Sequence, residues 1–472
     1  MRGLIQKPRF FSFGFKPKKD TLPKSLAPKI RTKTLPGPKS LKLIESLKRF
    51  ECPQVTFINE YFPVFFHSGR ACNLTDVDGN RFLDLTSCFG VSSLGHSHPV
   101  ILESIKKQSR RMVHGMGDVH PNEVKVELAQ KLSEITPGNL NQSIFSCTGS
   151  EAVESALKTA VMHTKKTGVI AFTGAYHGLG YGALSLTHRA DFKKPFLKQL
   201  GAFSYTAPFP DARIYESKAS QVSLKAVQSL IKKARRSRHP VGAVIIEPVQ
   251  GRGGVVPAPP EFLRALRALC DEEKILLIAD EVFTGFGRTG AMFAIEKSGI
   301  VPDLLCLGKG LGGGFPISVC IGTTRVMHSW GQSSGDAIHT STFLGHPLAC
   351  AVALSVIEEI RRNKLVEHSK AMGDNFRKAL WKLKEKYPLI GDVRGAGLMI
   401  GIEFSETSGK KRLPATDKTR RFIVDALRQG LVILSSGSDH NVVSVTPPLV
   451  ISDKEVTLAI QTFDKLFQKL VY

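Results

Sequence analysis

The chain of 472 residues carries 65 Lys+Arg against 41 Asp+Glu, a formal charge of +24, and 42% apolar residues, values of a globular chain long enough for two or three structural units. No run approaches the roughly 18 apolar residues of a membrane span, and no apolar leader precedes a small-residue cleavage site, so neither a membrane partner nor secretion is expected. The eight cysteines are scattered with no C-x-x-C pair, which speaks for reduced thiols in a cytoplasmic protein, with no metal site, and against a disulfide framework.

Residues 1–34 read as a basic arm, disordered or loosely attached. The first 33 hold ten Lys/Arg and one acid, Asp20, with prolines at 8, 17, 23 and 28 and no helical period. An organelle transit peptide is the alternative, although such segments are Arg-rich and amphipathic whereas this one is Lys-rich and proline-broken. Without residues 1–33 the charge is still +15, so a nucleic-acid or other anion binder enters as a remote reading. The body lacks the aromatic and basic interleaving of RNA binders, and a nucleic-acid partner is not expected.

Residues 35–95 open a smaller unit. Asn73 to Leu85 predicts a hairpin turning at Asp78-Gly79-Asn80. From about 140 to 325, short apolar strands alternate with helical stretches: Ser143 to Cys147, Val169 to Thr173, Ala243 to Glu247, Ile275 to Asp280, Leu304 to Leu307 and Ile317 to Ile321. Near-continuous apolar strands between helices predict a mostly parallel sheet covered on both faces, an α/β class. Ligands of such sheets bind at the carboxyl ends of strands, where Thr148, Gly174, Glu247, Asp280 and Lys309 all fall. Residues 96–335 are taken as the large domain, 336–385 as its end with a connecting helix, and 386–472 as a C-terminal part of the smaller unit. That last part holds strand candidates Gly397 to Phe404, Leu431 to Leu434 and Val442 to Val445, then a helix Asp453 to Leu470 with Val456, Ile460, Phe463 and Phe467 on one stripe.

Thr148-Gly149-Ser150-Glu151 ends one strand and opens a helix whose apolar positions are Val153, Ala156, Leu157, Ala160 and Val161. Free N–H groups and the helix dipole make such a start a phosphate site, with Gly149 permitting close approach and Ser150 offering its hydroxyl. An ordinary capping box is the competing reading. Tyr176, beside His177, could stack on a planar ring or fill the core. Glu247 ends a third strand in a Pro-Gly turn. Gly285-Phe286-Gly287-Arg288-Thr289-Gly290 matches G-x-G-x-x-G, but the next strand arrives too soon for a dinucleotide-binding βαβ unit.

Lys309 follows the apolar strand Leu304 to Leu307 and leads into glycines, and burial there would favour a neutral, nucleophilic amine. Asp280 stands at the end of the strand 29 residues earlier. A Schiff-base lysine with a carboxylate for a pyridinium nitrogen is the requirement of pyridoxal phosphate chemistry.

Taken together, these segments resemble the class III pyridoxal-phosphate aminotransferases of fold type I, from about residue 35 to the C-terminus. The likeness is carried by Gly95-His96-Ser97-His98-Pro99, Thr148 to Ala152, Tyr176-His177-Gly178 and Glu247 to Gly251. It continues through Asp280-Glu281-Val282, Thr284 to Gly290, Lys309, His339 to Phe343 and Arg394 to Leu398. It implies a large domain with a mostly parallel sheet covered by helices and a smaller α+β domain built from both termini. By the resemblance, Lys309 forms the imine with pyridoxal 5'-phosphate and then moves the proton. Asp280 pairs with the ring nitrogen, Tyr176 and Val282 cover the ring's two faces, and His177 and Glu247 lie beside it. Gly149 and Ser150 hold the phosphate, and Thr342 reaches it from the partner of a homodimer with shared active sites.

The implied reaction moves an amino group from an ω-amino acid, amino acid or diamine to a 2-oxo acid by a ping-pong route. A racemase, epimerase or aminomutase on the same fold is the alternative. Where many relatives place an arginine before Pro-Pro-Leu to clamp a carboxylate, this chain has Ser444, and after Val-Gln-Gly it has Arg252 rather than an acid. Arg252 is therefore a candidate substrate-carboxylate ligand, and Phe89 a candidate pocket wall. Phe283 stands where relatives often have glutamine and could instead narrow the pocket, so it is not counted among the cofactor ligands.

Overall fold

The computed structural model describes residues 25–409 and 411–471. Its centre is a seven-stranded sheet formed by β1 (Leu140–Ser146), β2 (Gly168–Phe172), β3 (Ser204–Ala207), β4 (Val241–Ile246), β5 (Leu276–Asp280), β6 (Leu304–Leu307) and β7 (Ser318–Thr323). The spatial order is β1-β7-β6-β5-β4-β2-β3. β7 runs antiparallel to both neighbours and the other pairings are parallel. All six predicted strands form, with ends shifted by a few residues. The third strand, β3, carries Tyr205 and Thr206 in a weakly apolar tetrapeptide, too short for a period to show.

The sheet is apolar on both faces because both are covered. Ile170, Val244, Leu277 and Leu305 enter one core, and Val169, Ala243, Ile278 and Cys306 the other, the alternation that a pleated strand imposes. The second core is closed by the helix Gly149–Thr164 through Ala152, Val153, Ala156, Leu157 and Ala160. Each large apolar side chain so buried contributes about 1.5–3 kcal/mol. Val161, expected on that stripe, is 37% exposed.

Both ends of the chain contribute to a second sheet: Phe66–Arg70, Asn73–Asp76, Arg81–Asp84 and Leu431–Val432, in that order. The expected hairpin is present. Gly79 takes φ +82°, and the Asp76 carboxylate accepts the Asp78 and Asn80 N–H groups at 3.0 and 2.8 Å, an Asx-type turn. Of the basic arm, residues 1–24 lie outside the described residues. Residues 25–34 are not loose: Lys29 exchanges backbone hydrogen bonds with Arg81 at 2.8 and 2.9 Å, and the Arg31 N–H donates to Asn80 Oδ1 at 2.7 Å. A third sheet holds Ile390–Ala396, Met399–Ser408, Leu434–Ser436 and Val442–Val445, and the final helix runs Asp453–Val471. Among the described residues no helix is long and apolar enough to cross a membrane.

Candidate active site

Adjacent parallel strands deliver the candidate residues to one edge of the sheet. Asp280 ends β5, Glu247 follows β4, and Tyr176 and His177 follow β2. Lys309 lies two residues beyond β6 and Gly149 three beyond β1. Parallel pairing makes the ends of β6, β5, β4 and β2 coincide, and β1, set off from them by the antiparallel β7, points the same way and brings Gly149 to the same edge.

Asp280 is 5% exposed and His177 3%. His177 Nδ1 donates to Asp280 Oδ2 at 2.7 Å, Asp280 Oδ1 accepts the Val282 N–H at 3.1 Å, and the His177 N–H donates to Thr187 Oγ1 at 3.0 Å. His177 Nε2 is buried without a partner. Glu247, also buried, accepts the N–H groups of Tyr176 and Gly251, both at 2.9 Å. Burial, with Asp280 adding to it, pushes the Glu247 carboxyl up to about 7, against the pull of His177 and the two N–H donors.

Lys309 opens a 3₁₀ turn with φ +39°, a left-handed conformation that a non-glycine residue keeps only where its surroundings fix it. Its Nζ lies 4.5 Å from the centroid of the Phe283 ring. Burial lowers the pKa of the amine below the usual lysine value. Asp280 and Glu247 oppose that effect and Arg252 adds to it. Phe283 itself is wedged against Gly90 and Gly251.

The helix from Gly149 does have a capping box, with Thr148 as N-cap and Glu151 returning the bond. That box satisfies Glu151, while the first-turn N–H groups of Gly149 and Ser150 have no acceptor inside the helix. A Cβ on Gly149 would come within 2.7 Å of Val282 Cγ1, so glycine keeps the helix start open to an anion beside Val282. Ser150 Oγ accepts the Gly180 N–H at 2.9 Å, which leaves its own hydrogen free to donate. The capping box therefore leaves the helix start available to an anion.

Arg252 is exposed, with its guanidinium carbon 4.8 Å from the Tyr176 centroid and 5.9 Å from those of Phe89 and Phe192. Phe192 also packs edge-on against Tyr176, with centroids 5.7 Å apart. The sequence carried no signal for Phe192, which stands in a short helix, Ala190–Lys193, with no apolar period. Phe89 lies in a run of left-handed residues, Ser87, Cys88, Phe89 and Gly90, with φ +47°, +47°, +65° and +79°. Thr342 is the one predicted residue that a single chain does not bring in: it is exposed on a surface segment.

The glycine-rich decoy resolves as structure. Arg288 within it is buried and donates to Leu398 O, Pro447 O and Ser87 Oγ at 3.0, 2.5 and 3.2 Å. Glu281, next to Asp280, also faces away from the site. It accepts the N–H groups of Ala294 and Ile295 and the Thr284 hydroxyl at 2.6, 2.8 and 2.8 Å.

This geometry fits pyridoxal phosphate on its own terms. A desolvated lysine amine, a buried carboxylate held by a histidine, an aromatic ring and an open helix start are its donor set. Residues 57–467 match the family model described as "Aminotransferase class-III". A 5-aminovalerate aminotransferase of Pseudomonas putida is 35% identical over 88% of this chain and 95% of its own length. The 4-aminobutyrate aminotransferase of Escherichia coli is 34% identical over 87% and 95%. Among solved structures, a transaminase from Virgibacillus superposes with TM-score 0.85 at 28% identity, over 91% of this chain and 99% of its own. A PLP-bound amine transaminase from an uncultivated Pseudomonas species gives 0.83 at 27%, over 89% and 99%. The chain is a member of the class III aminotransferases, and its cofactor is pyridoxal phosphate.

Proposed function

We propose that this aminotransferase takes its amino group from an ω-amino acid or a diamine, gives it to a 2-oxo acid, and works in the cytoplasm as a homodimer. Relatives named for 5-aminovalerate, 4-aminobutyrate and putrescine support the donor class. Within the site, the observation that carries the reading is the buried His177–Asp280 pair converging with Lys309.

When bound, the cofactor supplies a carbonyl that condenses with amines and a ring that accepts an electron pair. Lys309 anchors it and, once free, carries a proton to and from the carbon bearing the amino group. The lowered pKa of its amine keeps a basic form available for that transfer. Asp280, oriented by His177, holds a proton on the ring nitrogen. Tyr176 and Val282 cover the two faces, and Glu247 ties the Tyr176 backbone to that of Gly251, next to Arg252. Gly149 and Ser150 bind the phosphate, joined by Thr342 of a second copy. Arg252, with no carboxylate partner among the described residues, binds a substrate carboxylate at the pocket mouth, walled by Phe89. The smaller domain comprises 35–95 with 386–472, and the larger one 96–335 with its extension 336–385.

Initial rates measured against a panel of ω-amino acids and diamines at several 2-oxo acid concentrations test the reading. Parallel double-reciprocal lines are expected. Intersecting lines, or conversion of a chiral amino acid to its enantiomer with no acceptor present, contradict it.

A further inference from the structure

The sequence offers no metal-ligand spacing, yet the fold brings Asp84, Cys88 and His96 together. One carboxylate oxygen, the thiol sulfur and one imidazole nitrogen all lie within 4.8 Å of one another. Asp84 Oδ2 is 2.8 Å from His96 Nε2 and 4.0 Å from Cys88 Sγ. We infer that these three side chains form a binding site for a thiophilic divalent cation of the zinc class, outside the cofactor pocket and one residue from Phe89.

Three features of the chain support it. A tetrahedral zinc ion with ligands at about 2.0–2.3 Å holds their atoms about 3.3–3.5 Å apart; the Asp84–His96 separation of 2.8 Å and the Asp84–Cys88 separation of 4.0 Å lie on either side of that spacing, and the sulfur must draw in toward the other two. The carboxylate is already oriented from behind: Asp84 Oδ1 accepts the Thr86 N–H and hydroxyl at 2.8 and 2.6 Å, the kind of outer support that fixes a metal ligand. Asp84 is fully buried and Oδ2 is the atom aimed at both partners. Cys88 stands in the left-handed run Ser87–Gly90, with its sulfur within 4.0 Å of Asp84 Oδ2 at the strand end. Such strain is retained where surrounding contacts impose it. Here Ser87 Oγ donates to Thr446 O at 2.7 Å and accepts from Arg288.

Three protein ligands of mixed S, N and O type with a surface-facing thiol leave a fourth position for water. Coordination displaces one proton, from the Cys88 thiol to solvent. His96 stays neutral, exchanging its Nε2 proton for one on Nδ1.

The test is titration of the cofactor-loaded enzyme with Co²⁺, followed by displacement with Zn²⁺. One Co²⁺ per chain is expected, with a thiolate-to-cobalt charge-transfer absorbance that Zn²⁺ abolishes. Cys88→Ser should lose that absorbance and weaken Zn²⁺ binding, measured against a chromophoric chelator, at least tenfold. Cys88→Gly removes the sulfur while relaxing the φ of +47°, so it separates loss of the ligand from damage to the turn and should behave as Cys88→Ser does. Absence of the thiolate absorbance in the parent enzyme, or its persistence in both variants, overturns the site.

Discussion

His177 Nδ1 and Asp280 Oδ2 are 2.7 Å apart, and this contact bridges the ends of β2 and β5 across the end of β4, where Glu247 sits. The pair is closed off from water on both sides, so the Asp280 carboxylate has a fixed orientation. Replacing Asp280 with Asn keeps the shape and removes the charge. Turnover should fall about 10²–10³-fold, the scale of one lost electrostatic contact in a dry site, with the circular dichroism of the fold unchanged. Steady-state rates equal to the parent's would refute the role.

Arg252 should matter to affinity more than to turnover. Arg252→Ala removes the guanidinium stacked 4.8 Å above Tyr176, and KM for substrates bearing a carboxylate should rise about 10-fold or more, the worth of a charge-assisted pair. KM for a diamine should stay flat or fall. An equal change for both substrate classes would locate the effect in packing on Tyr176.

The shared-site reading predicts complementation. Lys309→Ala and Thr342→Ala chains should each be poor enzymes alone. Co-expressed, they should regain activity, because one site of each mixed dimer combines an intact Lys309 with the partner's intact Thr342. Activity no greater than the mean of the two parents would mean that Thr342 acts within its own chain or not at all.

Glu281 gives a pH signature distinct from catalysis. Burial pushes its carboxyl up to about 7 despite its three donors. The folded value lies above the unfolded one, so its contribution to stability is complete below about pH 4.5 and is lost as the pH rises through about 7, a difference on the order of 3 kcal/mol. Glu281→Gln cannot titrate and turns an amide toward N–H donors. In urea unfolding it should be the less stable protein near pH 5, with the gap narrowing toward pH 8. A gap that widens with pH would contradict the assignment.

The sheet was legible because its strands are buried on both faces and read as unbroken apolar runs, and because parallel strands put their carboxyl ends in one place. That is enough to gather Asp280, Glu247, His177 and Lys309 without knowing a single distance. Arg288 was legible only as part of a motif, since burial of a guanidinium depends on carbonyls from Leu398 and Pro447 that lie over 100 residues away. Phe192 and the closeness of Cys88 to Asp84 were not legible: the first depends on how a short helix folds over Tyr176, the second on positive φ angles at residues other than glycine. Thr342 was named through family likeness alone, and in the single chain it is exposed.

The most direct test of the central claim gives the cofactor-loaded enzyme an ω-amino acid with no acceptor and counts carbonyl product per chain, beside Lys309→Ala. The account predicts one equivalent from the parent, a halt, resumption when a 2-oxo acid is added, and no product from the variant. Sustained turnover without acceptor, or an equal yield from Lys309→Ala, would contradict it.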